Sequence, residues 1–315
     1  MNWKLEIETK IEKKYVKPFL KWAGGKRQHL NDIKENLPPK IKESGVIENY
    51  IEPFLGGGSV FFFLWREFKI KKTLLIDINK KLILTYQVIK ENPDELIKQL
   101  KEIKNKFYSF TDLDKKEKFY YRIRDRFNEN QKLHFSDKHN NRINIAADFI
   151  FLNKTCFNGL YRENKNGEFN VPFGKQKKPL IMDKENIKNV SLALQECEIK
   201  SGDYSISDKN INKASFVYFD PPYKPINKTS SFTSYTRNGF NETEQERLAN
   251  FFREMDKKGA LLMLSNSSGS SDRENGDYFK KLYTGFDIIP IDSLRSINSK
   301  GHKRTGFYDL LIVNY

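Results

Sequence analysis

The chain has 315 residues, enough for one large α/β unit with a smaller insertion. A formal net charge of +15 and an isoelectric point near 9.4 imply a polyanionic partner, most simply nucleic acid. Two cysteines, Cys156 and Cys197, and four scattered histidines exclude a disulfide framework and offer no metal-ligand spacing. With neither a secretory segment nor an apolar run long enough to span a bilayer, the expectation is a reduced, cytoplasmic, monomeric protein with no metal and no membrane contact.

In chain order, the first informative segment is Lys17-Pro18-Phe19-Leu20-Lys21-Trp22-Ala23-Gly24-Gly25-Lys26-Arg27. Trp22 offers a flat surface and Gly24-Gly25 a close turn. Lys26 supplies a cation near a helix that begins around Gln28-His29-Leu30. A tryptophan packed in a core beside surface lysines would leave the same local pattern. The next segment, Tyr50 to Val60, reads as strand, tight turn and helix, with Gly56, Gly57 and Gly58 at the turn. Glycines there allow a bound molecule to approach the backbone, although the spacing is neither G-x-G-x-x-G nor a Walker A loop. About twenty residues on, Leu74-Leu75-Ile76-Asp77-Ile78-Asn79 forms a second strand, whose acid is placed to bind ribose hydroxyls. A nucleoside cofactor without a polyphosphate fits this pair of strands best.

The α/β pattern then gives way to a mainly helical, highly charged stretch over 81–195, which carries 23 Lys and Arg against 15 Asp and Glu. Many of these lysines, especially over 90–118, fit a solvated helical face, but the excess marks where a polyanion would dock. Within it, Phe157-Asn158-Gly159 is a turn signal, and Asn166-Gly167 between Leu160–Asn164 and Glu168–Val171 predicts a hairpin with a type I′ turn. A two-stranded ribbon fits the major groove of duplex DNA, where Arg162 could pair with guanine O6 and N7. The same hairpin could instead only brace the fold. Both cysteines read as structural, Cys156 beside this hairpin and Cys197 at a strand start.

From residue 198 the alternation resumes. Glu198-Ile199-Lys200 leads into the polar turn Ser201-Gly202-Asp203-Tyr204, and the apolar run Ser215–Phe219 ends in Asp220-Pro221-Pro222-Tyr223. An acid, two rigid prolines and an aromatic at the end of a buried strand can grip a flat base. Asp220 accepts one exocyclic N–H, the Pro221 carbonyl accepts the second, and Tyr223 stacks on the ring. A plain Pro-Pro turn closing a strand is the alternative reading of those four residues. Ala260–Ser265 and Tyr308–Val313 complete the set of predicted strands. The expected organisation is thus 1–80 and 196–315 as two parts of one Rossmann-like domain, with 81–195 inserted between them and the hairpin at 157–174.

Phe-Leu-Lys-Trp-Ala-Gly-Gly-Lys at 19–26, Glu-Pro-Phe-Leu-Gly-Gly-Gly at 52–58 and Tyr-Phe-Asp-Pro-Pro-Tyr at 218–223, in this order, resemble the Dam/DpnM-like N6-adenine DNA methyltransferases. Asn158–Arg162 and Gly167–Gly174 resemble that family's target-recognition hairpin, and the likeness runs from about residue 17 to the C-terminus. The resemblance implies methyl transfer from S-adenosylmethionine to a flipped-out adenine in duplex DNA, with Asp220, Pro221, Pro222 and Tyr223 as the catalytic set. It places Trp22, Lys26, Glu52, Phe54, Gly56, Gly57, Gly58, Asp77, Ile78, Asp203, Tyr204 and Asp220 around the cofactor. On the DNA side it implies Lys21, Phe157, Asn158, Leu160 and Arg162, and the neighbouring Lys175, Lys177 and Lys178 suit phosphate contacts. Segments 231–235 and 295–298 match a loop over the active site and a DNA-facing turn. The hairpin is most similar to enzymes that methylate GATC, although relatives with longer sites containing GAT share part of the pattern; a restriction-modification role beside a cognate restriction endonuclease and a solitary methylase fit the sequence equally. An RNA adenine methyltransferase, or a non-catalytic basic DNA-binding protein, would share parts of this pattern; the second leaves Asp220, Tyr223 and the glycine turn without a purpose.

Overall fold

A computed structural model describes residues 16–132, 139–223, 240–267, 273–292 and 308–315. The expected loop at 231–235 and turn at 295–298 lie outside them. The chain divides into two compact units. The first joins the described residues up to Gly25 with Gly56–Arg66 and Asn79–Ser201, and the second takes Lys26–Leu55, Glu67–Ile78 and the described part of Gly202–Tyr315.

Six helices dominate the first unit: α1 (Ser59–Glu67), α2 (Lys80–Glu91), α3 (Pro93–Ser109), α4 (Leu113–Lys132), α5 (His139–Thr155) and α6 (Lys184–Leu194). Their starts follow local chemistry. Asn79 caps α2 by accepting from the amides of Lys81 and Leu82, Pro93 occupies the first position of α3, and Asp183 caps α6 through the Asn186 amide. Along α3, Leu96, Leu100, Ile103 and Phe107 recur at helical spacing and all are buried. Phe107, Phe119 and Phe151 meet edge to face or tilted, with Phe107 and Phe151 centroids 5.5 Å apart. Between α4 and α5 the fully buried Asp148 receives Arg126 Nε at 2.9 Å, so its charge is paired.

The predicted hairpin has a different turn. Asn166 does not take a positive φ, as a type I′ turn would require; the loop is Lys165–Gly167, closed by Gly167 N to Asn164 O and Asn164 N to Glu168 O, with Gly167 alone left-handed at φ 79°. The cause is the Asn164 side chain, whose Oδ1 accepts from the amides of Asn166 and Glu168 and starts the turn one residue early. Two isolated antiparallel bridges, Cys156 with Phe173 and Glu163 with Phe169, join the two arms, together with the hydrogen bond from Asn170 N to Arg162 O. Side chains from the helices do the rest: Tyr120 donates to Val171 O at 2.8 Å, Asn128 brackets the Phe169 backbone, and Lys81 donates to Gly167 O at 2.9 Å while pairing with Glu163.

The second unit is built on a sheet with strands β1 (Asn49–Glu52), β2 (Thr73–Asp77), β3 (Ser215–Phe219), β4 (Leu261–Ser267), β5 (Asp287–Asp292) and β6 (Tyr308–Val313), in spatial order β2-β1-β3-β4-β6-β5. The first four run parallel, and β6 is antiparallel to both neighbours. Every residue of β3 is buried, as a parallel strand covered on both faces requires. Its apolar set packs with Leu248, Phe251 and Phe252 of α7 (Glu242–Lys257) and with Phe279 of α8 (Arg273–Leu282). This mixed α/β architecture with a mostly parallel central sheet is the one the alternating pattern predicts.

Candidate active site

The chain leaves β1 towards β2 on one side, and β3 lies on the other, so β1 marks a reversal of strand order, where ligands of open α/β sheets bind at the carboxyl ends. Register brings the predicted residues there. Ile51 pairs with Leu74 on β2 and with Val217 on β3, which sets Phe54, Asp77 and Asp220 at one level along that edge. Because β6 runs the other way, with Asp309 opposite Ser267, its beginning meets the same edge.

At this edge Asp220 is engaged with a buried cation. Lys26 Nζ lies 2.6 Å from Asp220 Oδ1, with Lys26 3 % and Asp220 21 % exposed, and 4.6 Å from the centroid of the Tyr223 ring. Burial acts to lower the Lys26 pKa, but Asp220 and Tyr223 outweigh it and the ammonium is held above its ordinary range. Asp220 is shifted up by burial, and Lys26 limits that rise. Burial, with Asp220 and Asp309 nearby and Lys26 opposing, pushes the Tyr223 phenol up to about 12, so it stays a neutral donor. Its hydroxyl faces Asp309 Oδ2 at 3.5 Å, and the Pro222 carbonyl accepts from Gln245 Nε2 at 3.3 Å, anchoring the turn to α7.

Around the Asp77 end of the edge the donor set suits a nucleoside. Ile78 exposes 54 % of its surface beside the Asp77 carboxylate. Phe54 stacks at a tilt on Tyr204, and the buried Glu52 accepts from Tyr50 at 2.8 Å. Gly202 N donates to Asp77 O at 3.0 Å, which brings the polar turn holding Asp203 to the strand end. The Asp203 carboxylate is held in a fork by Arg247 at 3.0 and 2.7 Å and caps Ser205 N, and its pKa is lowered because these contacts outweigh burial.

The remaining predicted residues lie in the first unit. The indole of Trp22 packs onto the glycine turn: a Cβ on Gly56, whose φ is +48°, would sit 2.9 Å from Trp22 Cδ1, and one on Gly57 3.1 Å from Trp22 Cβ. Gly56 therefore leaves no room for a Cβ and Gly57 only a tight contact, while a Cβ on Gly58 would meet the Tyr86 hydroxyl at 2.7 Å. Trp22 also stacks on Tyr161 at 5.4 Å. The backbone of Lys21 is clamped by Asn153, which accepts from Lys21 N and donates to Lys21 O, both at 2.8 Å, and its side chain lies where a Cβ on Gly159 would be. This supports a turn in which Asn158 is left-handed at φ 54°, while Phe157 and Leu160 expose 51 % and 41 % of their surfaces. Arg162 Nε donates to Asn170 Oδ1 across the hairpin at 2.8 Å, and Lys175, Lys177 and Lys178 are exposed beyond it.

Residues 22–297 match the family described as D12 class N6 adenine-specific DNA methyltransferase. The chain belongs to this family. It is 53 % identical over 301 residues to the Type II methyltransferase M.MjaIII of Methanocaldococcus jannaschii, covering 95 % of this chain and 99 % of the relative. It is 36 % identical to the Type II methyltransferase M1.LlaDCHI of Lactococcus lactis subsp. cremoris, covering 95 % and 96 %, and 32 % identical to the DNA adenine methylase of Escherichia coli K12, covering 94 % of each chain. A D12 methyltransferase acts on DNA adenine at N6 and uses S-adenosylmethionine.

For this D12 enzyme, sequence reading gave Lys26 to the cofactor and did not foresee its ion pair with Asp220, 194 positions away. It also missed His29, Asp309, Arg247 and Gln245, which brace the expected residues. The adjacency of Lys26 and His29 to the Gly24-Gly25 turn was their one visible signal. Among the described residues no group of three or more His, Cys, Asp and Glu is placed to hold a metal ion, and no helix is long and apolar enough to cross a membrane.

Proposed function

We propose that this D12 methyltransferase modifies adenine within GATC in duplex DNA, holding the flipped base at Asp220–Tyr223. The observation that carries the reading of the site is the Lys26–Asp220 pair at the carboxyl end of β3, beside Tyr223. Adenine N6 is a poor nucleophile because its lone pair is delocalised into the ring, and in a duplex it is stacked out of reach, so the base must first be extruded. Tyr223 stacks on the ring, and the amine then gives one N–H to Asp220 and the other to the Pro221 carbonyl. That pair of acceptors turns the lone pair out of the ring plane. Lys26 holds Oδ1 of Asp220, which fixes the carboxylate plane and leaves Oδ2 as the acceptor for the amine. When bound, S-adenosylmethionine supplies the electrophilic methyl group. As positive charge builds on N6, the Asp220 carboxylate stabilises it, and the proton leaves to water afterwards.

Cofactor residues fit the same edge: Asp77 for ribose hydroxyls, Ile78 with Phe54 and Tyr204 for the adenine ring, and Asp203, oriented by Arg247, for its amino group. Gly56 to Gly58 and Trp22 form the turn assigned to the methionine part, with Glu52 preceding it. Recognition falls to the hairpin. Its exposed Phe157 and Leu160 suit wedging between bases, Arg162 suits a guanine, and Lys21 with Asn158 suits the flanking positions. The likeness of these hairpin residues to GATC enzymes supports that site, and the Type II names of two relatives favour a role beside a restriction endonuclease. Sequencing of plasmid DNA methylated by the purified protein tests the site: N6-methyladenine confined to GATC is expected, and methylation confined to a longer site or spread over other adenines contradicts it.

A further inference from the structure

We propose that His29 is a positioning residue for methyl transfer, acting through Asp309 to fix the hydroxyl of Tyr223 and thereby the plane of the ring that receives the target base. The inference rests on the reading of Tyr223 as the base platform and adds to it the device that holds the platform still.

His29 ends the one-turn helix Arg27–His29 that follows Lys26, and it is 1 % exposed. Its two ring nitrogens face two acids. Nδ1 lies 3.2 Å from Asp32 Oδ2 on the following helix, and Nε2 lies 3.0 Å from Asp309 Oδ2 at the start of β6. The same Asp309 oxygen is the partner of Tyr223 Oη at 3.5 Å. One short turn therefore carries two basic side chains that reach two strand ends, Lys26 to Asp220 and His29 to Asp309, with Tyr223 between them and Lys26 under its face.

A ring held only by its faces can tilt, and a tether at the hydroxyl removes that freedom. A neutral imidazole donates from one nitrogen only and so to one of the two acids, whereas an imidazolium donates to both Asp32 and Asp309. Gln28, whose amide nitrogen is placed 2.9 Å from His29 Nε2, can turn its oxygen towards the protonated ring by an amide flip. Among the described residues, the other titratable groups close to this cluster are Asp220, with Lys26 at its side, and Tyr223, which stays neutral. Burial works against the charged ring, but Asp309 and Asp32 more than offset it, and the His29 pKa is raised above its ordinary value. The sign follows: the doubly donating form is complete below the ordinary histidine pKa and is lost as pH rises through the raised one. Tyr223 is then held most firmly on the acid side of that transition.

The test uses the full-length enzyme with S-adenosylmethionine, a duplex with adenine at the target position for turnover, and a second duplex with 2-aminopurine there for flipping fluorescence. Wild-type kcat is expected to fall as pH rises through the His29 transition. His29→Gln, which cannot titrate, loses this limb and lowers kcat at its acid plateau roughly threefold to tenfold, with KM for S-adenosylmethionine unchanged. Asp309→Asn gives the same loss, and should His29→Gln fold poorly by circular dichroism, it carries the test alone. In a Tyr223→Phe background, which keeps the ring and lacks the hydroxyl, His29→Gln has no further effect. A basic limb that persists in His29→Gln at full amplitude, or an equal effect of His29→Gln with and without the Tyr223 hydroxyl, overturns the proposal. Tyr223→Ala with wild-type flipping fluorescence would instead remove Tyr223 as the platform, so the two failures are distinguishable.

Discussion

The strand-end turn at 220–223 and the hairpin at 157–174 are held in opposite ways. The turn continues a strand buried along its whole length, and its functional groups are fixed by charge: Lys26 on Asp220, and Asp309 facing the Tyr223 hydroxyl. The hairpin has isolated bridges and a few hydrogen bonds between its arms, no continuous ladder, and takes its shape from Asn164, Asn128, Tyr120 and Lys81, while Phe157 and Leu160 project into solvent. A group that must stabilise developing charge gains from a fixed, water-poor setting. A surface that must meet an extended duplex gains from exposed side chains on a ribbon braced from behind. The proposed function accordingly gives rate to the first region and sequence preference to the second.

Substitutions can break that division, and the largest effect falls on the turn. Asp220→Ala is expected to lose at least roughly a hundredfold to a thousandfold in rate while cofactor and DNA affinities stay within about tenfold, because the contact matters most in the transition state. Single-turnover methylation beside equilibrium binding checks this; near-normal turnover would end the proposed role.

Lys26→Met sharpens the electrostatic part. Removing the cation leaves burial unopposed, so the Asp220 pKa rises further, and the reactive carboxylate is lost at a higher pH on acidification. The acid limb of kcat/KM therefore moves up, with about a tenfold loss at neutral pH. An unmoved limb would mean that Lys26 serves the cofactor alone, as the motif by itself suggests.

On the hairpin, Arg162→Ala should cost about 1–3 kcal/mol on the proper site and little on random duplex, since a bidentate contact rewards only the right base. Equal losses on both would make it a phosphate anchor, and base reading would pass to Lys21, Asn158 or Leu160. Smallest of all, neutralising Lys175, Lys177 and Lys178 should weaken both duplexes alike and flatten the salt dependence of binding, because fewer counterions are released.

Much of this was legible in the chain. β1, β2, β3, β4 and β6 fall on the runs chosen by apolar pattern, and register at the sheet edge brings Phe54, Asp77 and Asp220 level, since parallel strands deliver their ends to one place. What escaped has a common physical cause. Lys26 with Asp220 and His29 with Asp309 are contacts between segments far apart in sequence, and no local spacing records them. The hairpin turn slipped by one residue because a side chain, Asn164 Oδ1, competed with the Asn-Gly signal beside it. The glycines at 56–58 were read as letting a bound molecule approach the backbone; within the chain itself, a Cβ at these positions would meet Trp22, Phe62 and Tyr86.

The most direct measurement compares Asp220→Asn and Arg162→Ala side by side, recording single-turnover methylation at saturating cofactor and DNA together with the ratio of cognate to random duplex affinity. The account predicts that Asp220→Asn loses rate and keeps the ratio, while Arg162→Ala loses the ratio and keeps most of its rate once saturated. Parallel loss of rate and ratio in both variants would contradict it.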